Sequence, residues 1–117
     1  MKIIRVYLGG DGQTHFEDVE WEERLTGDRA FARTDALRAG EANFAIQPPG
    51  FFANFHPAPS RRLFVMVSGS AEVTVSDGEA RVIEAAGVVL FEDVSGPGHT
   101  MRVLGDAPRV ALHVTLT

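Results

Sequence analysis

Four imidazoles, His15, His56, His99 and His113, are the side chains of this 117-residue chain best suited to moving a proton or holding a metal near neutral pH. There is no cysteine, which removes thiolate metal sites, disulfides and a cysteine nucleophile. No Gly-x-Ser-x-Gly elbow occurs, and Gly9-Gly10-Asp11-Gly12 lacks the Gly-Lys-Ser/Thr and the helix start of a phosphate loop, so it reads as a turn. Among the histidines, His99 has the strongest positional signal. It follows Gly96-Pro97-Gly98 and shares alternation with Met101 and Val103, against Thr100, Arg102 and Leu104. The more apolar set is expected to face inward, carrying His99 with it. The same rule applied to Arg109–Leu116 sends Val110, Leu112, Val114 and Leu116 inward and His113 outward with Ala111 and Thr115, toward a subunit interface. His15, in Gly-Gly-Asp-Gly-Gln-Thr-His-Phe, lies in a loop-like stretch that nothing local holds in place.

The elements that must position these groups are short strands. β-branched and aromatic residues fill runs separated by Gly, Pro, Asp and Ser, giving expected strands at Lys2–Leu8, Asn43–Gln47, Phe51–His56, Leu63–Val67, Ala71–Val75, Ala80–Ile83, Val88–Glu92, His99–Leu104 and Arg109–Leu116. Asp77-Gly78 is a hairpin signal, since glycine supplies the positive φ that a tight turn needs. Asp18–Leu25, and more weakly Asp28–Leu37, have helix-like composition without an apolar stripe. Residues 9–40 are therefore read as a strand or two plus irregular chain. The fold class expected is all-β, with little helix, as one sandwich or barrel over residues 1–117.

Composition narrows the partners. Eleven basic against sixteen acidic side chains give a formal charge of −5, the opposite of what phosphate backbones require. Lys2 is the only lysine, so no polybasic membrane patch forms, and no apolar run reaches the roughly 18 residues of a membrane helix. Arg5 interrupts the apolar start before a signal-peptide core can develop, and a cytoplasmic protein that binds neither nucleic acid nor membrane is expected.

One stretch has a recognisable frame. From Gly50 the chain runs five residues to His56, one to Ala58, three to Arg62 and six to Gly69. After seventeen intervening residues Gly87 opens Gly-Val-Val-Leu-Phe-Glu-Asp-Val-Ser-Gly-Pro-Gly-His, ending at His99. Over residues 43–116 this resembles a small single-domain bacterial cupin with a degenerate metal motif, which implies a double-stranded β-helix jelly roll preceded by an N-terminal strand and irregular segment over residues 1–40. Cupins typically hold a divalent metal through two histidines and a glutamate of the first motif and a histidine of the second. His56 and His99 stand at the first and last of these positions, but Ala58 and Arg62 occupy the other two.

A guanidinium has no lone pair to offer and stays charged. Two unit charges 4 Å apart interact by roughly 4 kcal/mol at an intermediate dielectric, and a divalent ion doubles that. An inward Arg62 thus disfavours a cation and favours a carboxylate or phosphate; an outward Arg62 would turn to the surface with Arg61 and pair there with Glu or Asp. Phe64 and Met66 share its alternation and would line the cavity with it, as would Met101 beside His99.

The expected function is binding of a small anionic or carbonyl-bearing molecule, with Arg62 as anchor and His56 and His99 as the catalytic pair of a metal-independent isomerase, cyclase or lyase, and no cofactor. Two alternatives stand beside it. One is a non-catalytic binding or sensing domain. The other is a divalent-transition-metal oxygenase or lyase using His56 and His99, with His15 as a third ligand. A symmetric homodimer through the first strand, taken as a sheet edge, is the expected assembly.

Overall fold

Glycine and proline turns cut the chain into strands that stack as two facing sheets in the computed structural model, which describes residues 1–25 and 31–117. The strands are β1 (Lys2–Leu8), β2 (Thr14–Glu20), β3 (Arg24–Leu25), β4 (Ala32–Arg33), β5 (Ala39–Gln47), β6 (Phe52–His56), β7 (Arg62–Ser68), β8 (Ser70–Val75), β9 (Ala80–Ile83), β10 (Val88–Phe91), β11 (His99–Leu104) and β12 (Arg109–Leu116). One sheet has six strands in the order β2-β1-β10-β7-β12-β5, the other four in the order β6-β11-β8-β9, and β3 pairs with β4. Among the described residues only the β1–β10 pair is parallel. The core between the sheets joins Val6 and Phe16 to Phe64, Met66, Val73, Val75, Phe91 and Met101.

The strand expectations hold from Lys2–Leu8 through Arg109–Leu116, with β5 starting earlier, at Ala39. The described part of residues 9–40 is short strands and irregular chain, as expected; Asp18–Leu25, helix-like only in composition, forms no helix. Phe16 is buried, Asp18 pairs with Arg81 at 2.7 Å, and the segment finishes β2 and enters β3. Of the second helix-like stretch, residues 28–30 lie outside the described residues, and Ala32–Arg33 is strand. Two expectations fail. The first strand is not an edge: β2 pairs it on one side and β10 on the other, which fills both of its hydrogen-bonding directions.

The second failure concerns β12. Ala111 is fully buried in the core between the sheets, and Arg109 and His113 share its face. The branched residues point the other way. Val114 and Leu116 join Ile3, Leu63, Val88 and Leu90 in a second apolar cluster on the outer side of the large sheet. Both faces of this sheet are apolar, so alternation separates the two sets without saying which is inside.

Candidate functional site

Between the sheets lies a cavity of about 120 Å³, lined on one wall by His56 and His99 and on the other by Arg62, Arg109 and His113, with Phe64, Phe91 and Met101 supplying apolar surface. The histidine pair is built by strand register. His56 ends β6, His99 begins β11, and the two are direct cross-strand partners with ring centroids 5.0 Å apart. Gly98 makes this approach possible. It adopts φ +74°, and a Cβ there would overlap the carbonyl of His56.

Each of these rings is oriented through Nδ1. The Nδ1–H of His56 donates to the carbonyl of Asn54 at 2.7 Å, and since a carbonyl only accepts, the lone pair is left on Nε2. The Nδ1–H of His99 donates to Asp93 Oδ2 at 2.6 Å. Asp93 has no solvent exposure, and its backbone carbonyl accepts the N–H of Ala58, tying together the two loops that carry the motif residues. Phe91 stacks on His99 at 4.5 Å and 26°, closing the ring's other face.

The opposite wall is cationic. Arg61 turns outward to Glu92, whereas Arg62, one residue on, turns into the cavity and donates from Nη1 to His113 Nδ1 at 3.2 Å. Arg109 is 2% exposed, forks onto Gln47 Oε1 through Nε at 2.9 Å and through Nη2, and lies over the Phe64 ring at 4.9 Å. Neither Arg62 nor Arg109 has a carboxylate partner among the described residues. Burial lowers the pKa of Arg109. Burial first, then the Arg109 and Arg62 charges, push His113 down to about 4, so it is neutral, with its proton on Nε2. Four buried side-chain polar atoms lack a partner among the described residues: Arg62 Nε, Arg109 Nη1, His113 Nε2 and Asp93 Oδ1. Three of the four are N–H donors on this one wall.

Neither a protein-family model nor a curated protein sequence matches the chain. Solved structures do. A Cupin 2 conserved barrel domain protein from Salinispora arenicola superposes with a TM-score of 0.54 at 24% identity, over 84% of this chain and 91% of that one. The Schizosaccharomyces pombe Cnp3 cupin domain superposes at 0.53 with 15% identity, over 99% of this chain and 88% of that one. The chain folds as a small cupin barrel. ToxT from Vibrio cholerae, one of whose structures is bound to a substituted but-3-enoic acid, gives 0.57 at 15% identity, over 66% of this chain; the match spans only 30% of ToxT.

Within this cupin barrel, His56, His99, Arg62, Phe64 and Met101 line the cavity as the sequence positions them. Met66 does not; it is 1% exposed and packed in the core beneath. His15 does not reach the mouth. It sits on β2, clasped by Asp77 at Nδ1 (2.8 Å) and by Asp11 at Nε2 (2.9 Å), so both ring nitrogens are engaged outside the barrel. Sequence reasoning missed Asp93, Arg109 and the inward His113. The available signal was an arginine and a histidine sharing the small-residue face of β12.

The cupin metal does not fit this donor set. Ala58 and Arg62 replace two of four ligands, no carboxylate lines the cavity, and the orphaned groups on the far wall are donors that repel a cation. Among the described residues, no three His, Cys, Asp or Glu side chains are grouped to hold an ion.

Proposed function

We propose that this cupin barrel binds a small carboxylate in its cavity and moves a proton on the bound molecule without a metal. The observation that carries the reading is the set of three buried N–H donors, on Arg62, Arg109 and His113, that have no acceptor in the protein. A buried guanidinium without a counter-charge costs several kcal/mol, and a bound carboxylate removes that cost by accepting from these donors in a bidentate or bridging way. The cavity, at about 120 Å³, is slightly smaller than the roughly 150 Å³ that admits benzene, which limits the ligand to about six heavy atoms. Short 2-oxo and 2-hydroxy acids have this size and charge.

The facing wall supplies the chemistry. With the carboxylate held by the arginines, the adjacent carbonyl and its neighbouring carbon face the His56–His99 pair. One imidazole Nε2 takes a proton from that carbon, Arg62 and the His113 Nε2–H stabilise the oxygen that becomes negative, and the proton returns to carbon or oxygen. That sequence is common to isomerase, cyclase and lyase steps. Asp93 holds His99 in the tautomer with Nε2 free and stabilises its protonated form.

Pyruvate tests both halves. Calorimetry is expected to show saturable one-to-one binding that Arg109→Gln removes, and NMR in D₂O is expected to show exchange of the methyl protons that His99→Ala abolishes. Binding without exchange, across a panel of 2-oxo acids, would reduce the protein to a ligand-binding domain. No binding of any small carboxylate, or stoichiometric iron, manganese, nickel or zinc in protein purified without added metal, would refute the reading.

A further inference from the structure

We infer that Gln47 sets the charge selectivity of the cavity: as a neutral acceptor it fixes Arg109 in place while leaving that guanidinium's positive charge open to an anion. This role rests on the carboxylate reading proposed above for the same cavity. Gln47 ends β5 and Arg109 begins β12, and the register makes them direct cross-strand partners. A guanidinium only donates, so the amide oxygen of Gln47, not its nitrogen, must face it. That one oxygen accepts from both Nε and Nη2, which uses both of its lone pairs and locks the fork. Nη1 is left buried and without an acceptor among the described residues.

The other groups that hold Arg109 add no negative charge. Its guanidinium lies over the Phe64 ring at 4.9 Å, and a Cβ at Gly69 would lie 2.8 Å from the Arg109 Cα, so the arginine backbone is packed against that glycine. No Asp or Glu among the described residues lines the cavity. Burial lowers the Arg109 pKa, and no carboxylate raises it again.

The contrast with arginines outside the cavity makes the amide informative. Among the described residues, wherever a side chain outside the cavity accepts from an arginine, the acceptor is a carboxylate: Glu17 and Glu92 for Arg5, Glu92 for Arg61, Asp18 and Glu79 for Arg81. Inside, Arg109 has Gln47 and Arg62 has the neutral His113. Glutamate at position 47 would keep the length and offer arginine the bidentate partner it favours, but would cancel the charge on which an anion depends. Selectivity is a difference of two affinities, and a carboxylate built into the wall lowers chiefly that of the charged ligand.

Pyruvate and pyruvamide, alike in size and different in charge, test this by calorimetry on the full chain. The wild type is expected to prefer pyruvate by about 30-fold or more, and Gln47→Glu to bring the two within about threefold of each other. Without ligand, Gln47→Glu is expected to melt about 4 °C or more above wild type, because the buried cation gains a partner. An amide with a merely structural role would instead lose stability and affinity together. Ile46→Glu puts the same charge on the outer face of β5 at a 69% exposed position, where it is expected to leave the preference within about twofold of wild type. A glutamate-47 protein that keeps the preference, or that melts below wild type, overturns the inference while the carboxylate reading stands. So does Ile46→Glu if it loses the preference equally. A wild type that binds neither compound refutes the carboxylate reading, and the ligand-free melt then decides by itself whether Gln47 keeps the Arg109 charge open.

Discussion

Arg62 at the start of β7 donates to His113 Nδ1 in β12 across 3.2 Å, and this contact settles the tautomer of a partly buried imidazole. With Nδ1 accepting, the ring proton is on Nε2, one of three donors on that wall without an acceptor. His113 is therefore a neutral hydrogen-bond donor, and in the proposed reaction the bases are His56 and His99 opposite.

Arg109 exchanges stability for binding. Replacing it with Met removes an uncompensated buried charge at similar volume, so Arg109→Met is expected to stabilise the ligand-free protein by about 1–3 kcal/mol while weakening carboxylate binding by more than about 30-fold. Thermal melts with and without pyruvate check both arms. A lower melting temperature without ligand would mean that the charge is already neutralised within the protein.

His113 and His15 give opposite pH dependences. His113 titrates near 4 in the folded chain against 6.5 normally, so between those values the unfolded chain binds the extra proton and stability rises with pH. Acidification from 6.5 to 4 is expected to cost on the order of 3 kcal/mol through this group, and His113→Phe should flatten that part of the profile. His15 is raised, first by its bond to Asp11 and then by Asp77, so its contribution is present below 6.5 and lost as pH rises through its folded value. His15→Gln should therefore destabilise the protein in acid and converge with wild type in base. Urea midpoints across the range distinguish the two variants.

Asp93 is a positioning residue for His99. Asp93→Asn keeps the shape but removes the negative acceptor, and is expected to slow proton exchange on bound pyruvate by about 100-fold or more while leaving its affinity within about threefold. A parallel loss of affinity would show that the cavity had been rebuilt rather than the imidazole misdirected.

Gly98 is where backbone conformation and close approach coincide. Alanine there meets both a left-handed φ and the His56 carbonyl, so Gly98→Ala is expected to destabilise the fold by about 3 kcal/mol or more and to separate the two imidazoles. A chemical-denaturation midpoint close to wild type would show that the β6–β11 pairing can shift without cost.

Much of the scaffold was legible from residue order. Strand positions follow from runs of Val, Ile, Leu and Phe between turn-forming residues, and Lys2–Leu8, Ala80–Ile83, His99–Leu104 and Arg109–Leu116 form at the expected limits. β2 was obscured because Glu17, Asp18 and Glu20 weaken its alternation; their strand is an edge, and such an edge tolerates charge. The first strand looked like an edge because pairing depends on a partner elsewhere in the chain.

Sequence by itself determined the chemistry at four motif positions: imidazoles at His56 and His99, a side chain without donor atoms at Ala58, and a permanent cation at Arg62. Side-chain chemistry travels with the residue whatever the fold. Only the tertiary structure decided that Arg62 turns inward while Arg61 pairs with Glu92, that Asp93 stands behind His99, and that Arg109 and His113 complete the wall. The placement of Arg109 and His113 depends on which of two apolar faces of β12 is concave, and a period of two residues is identical from either side; Asp93 meets His99 only through the folding of the β10–β11 loop.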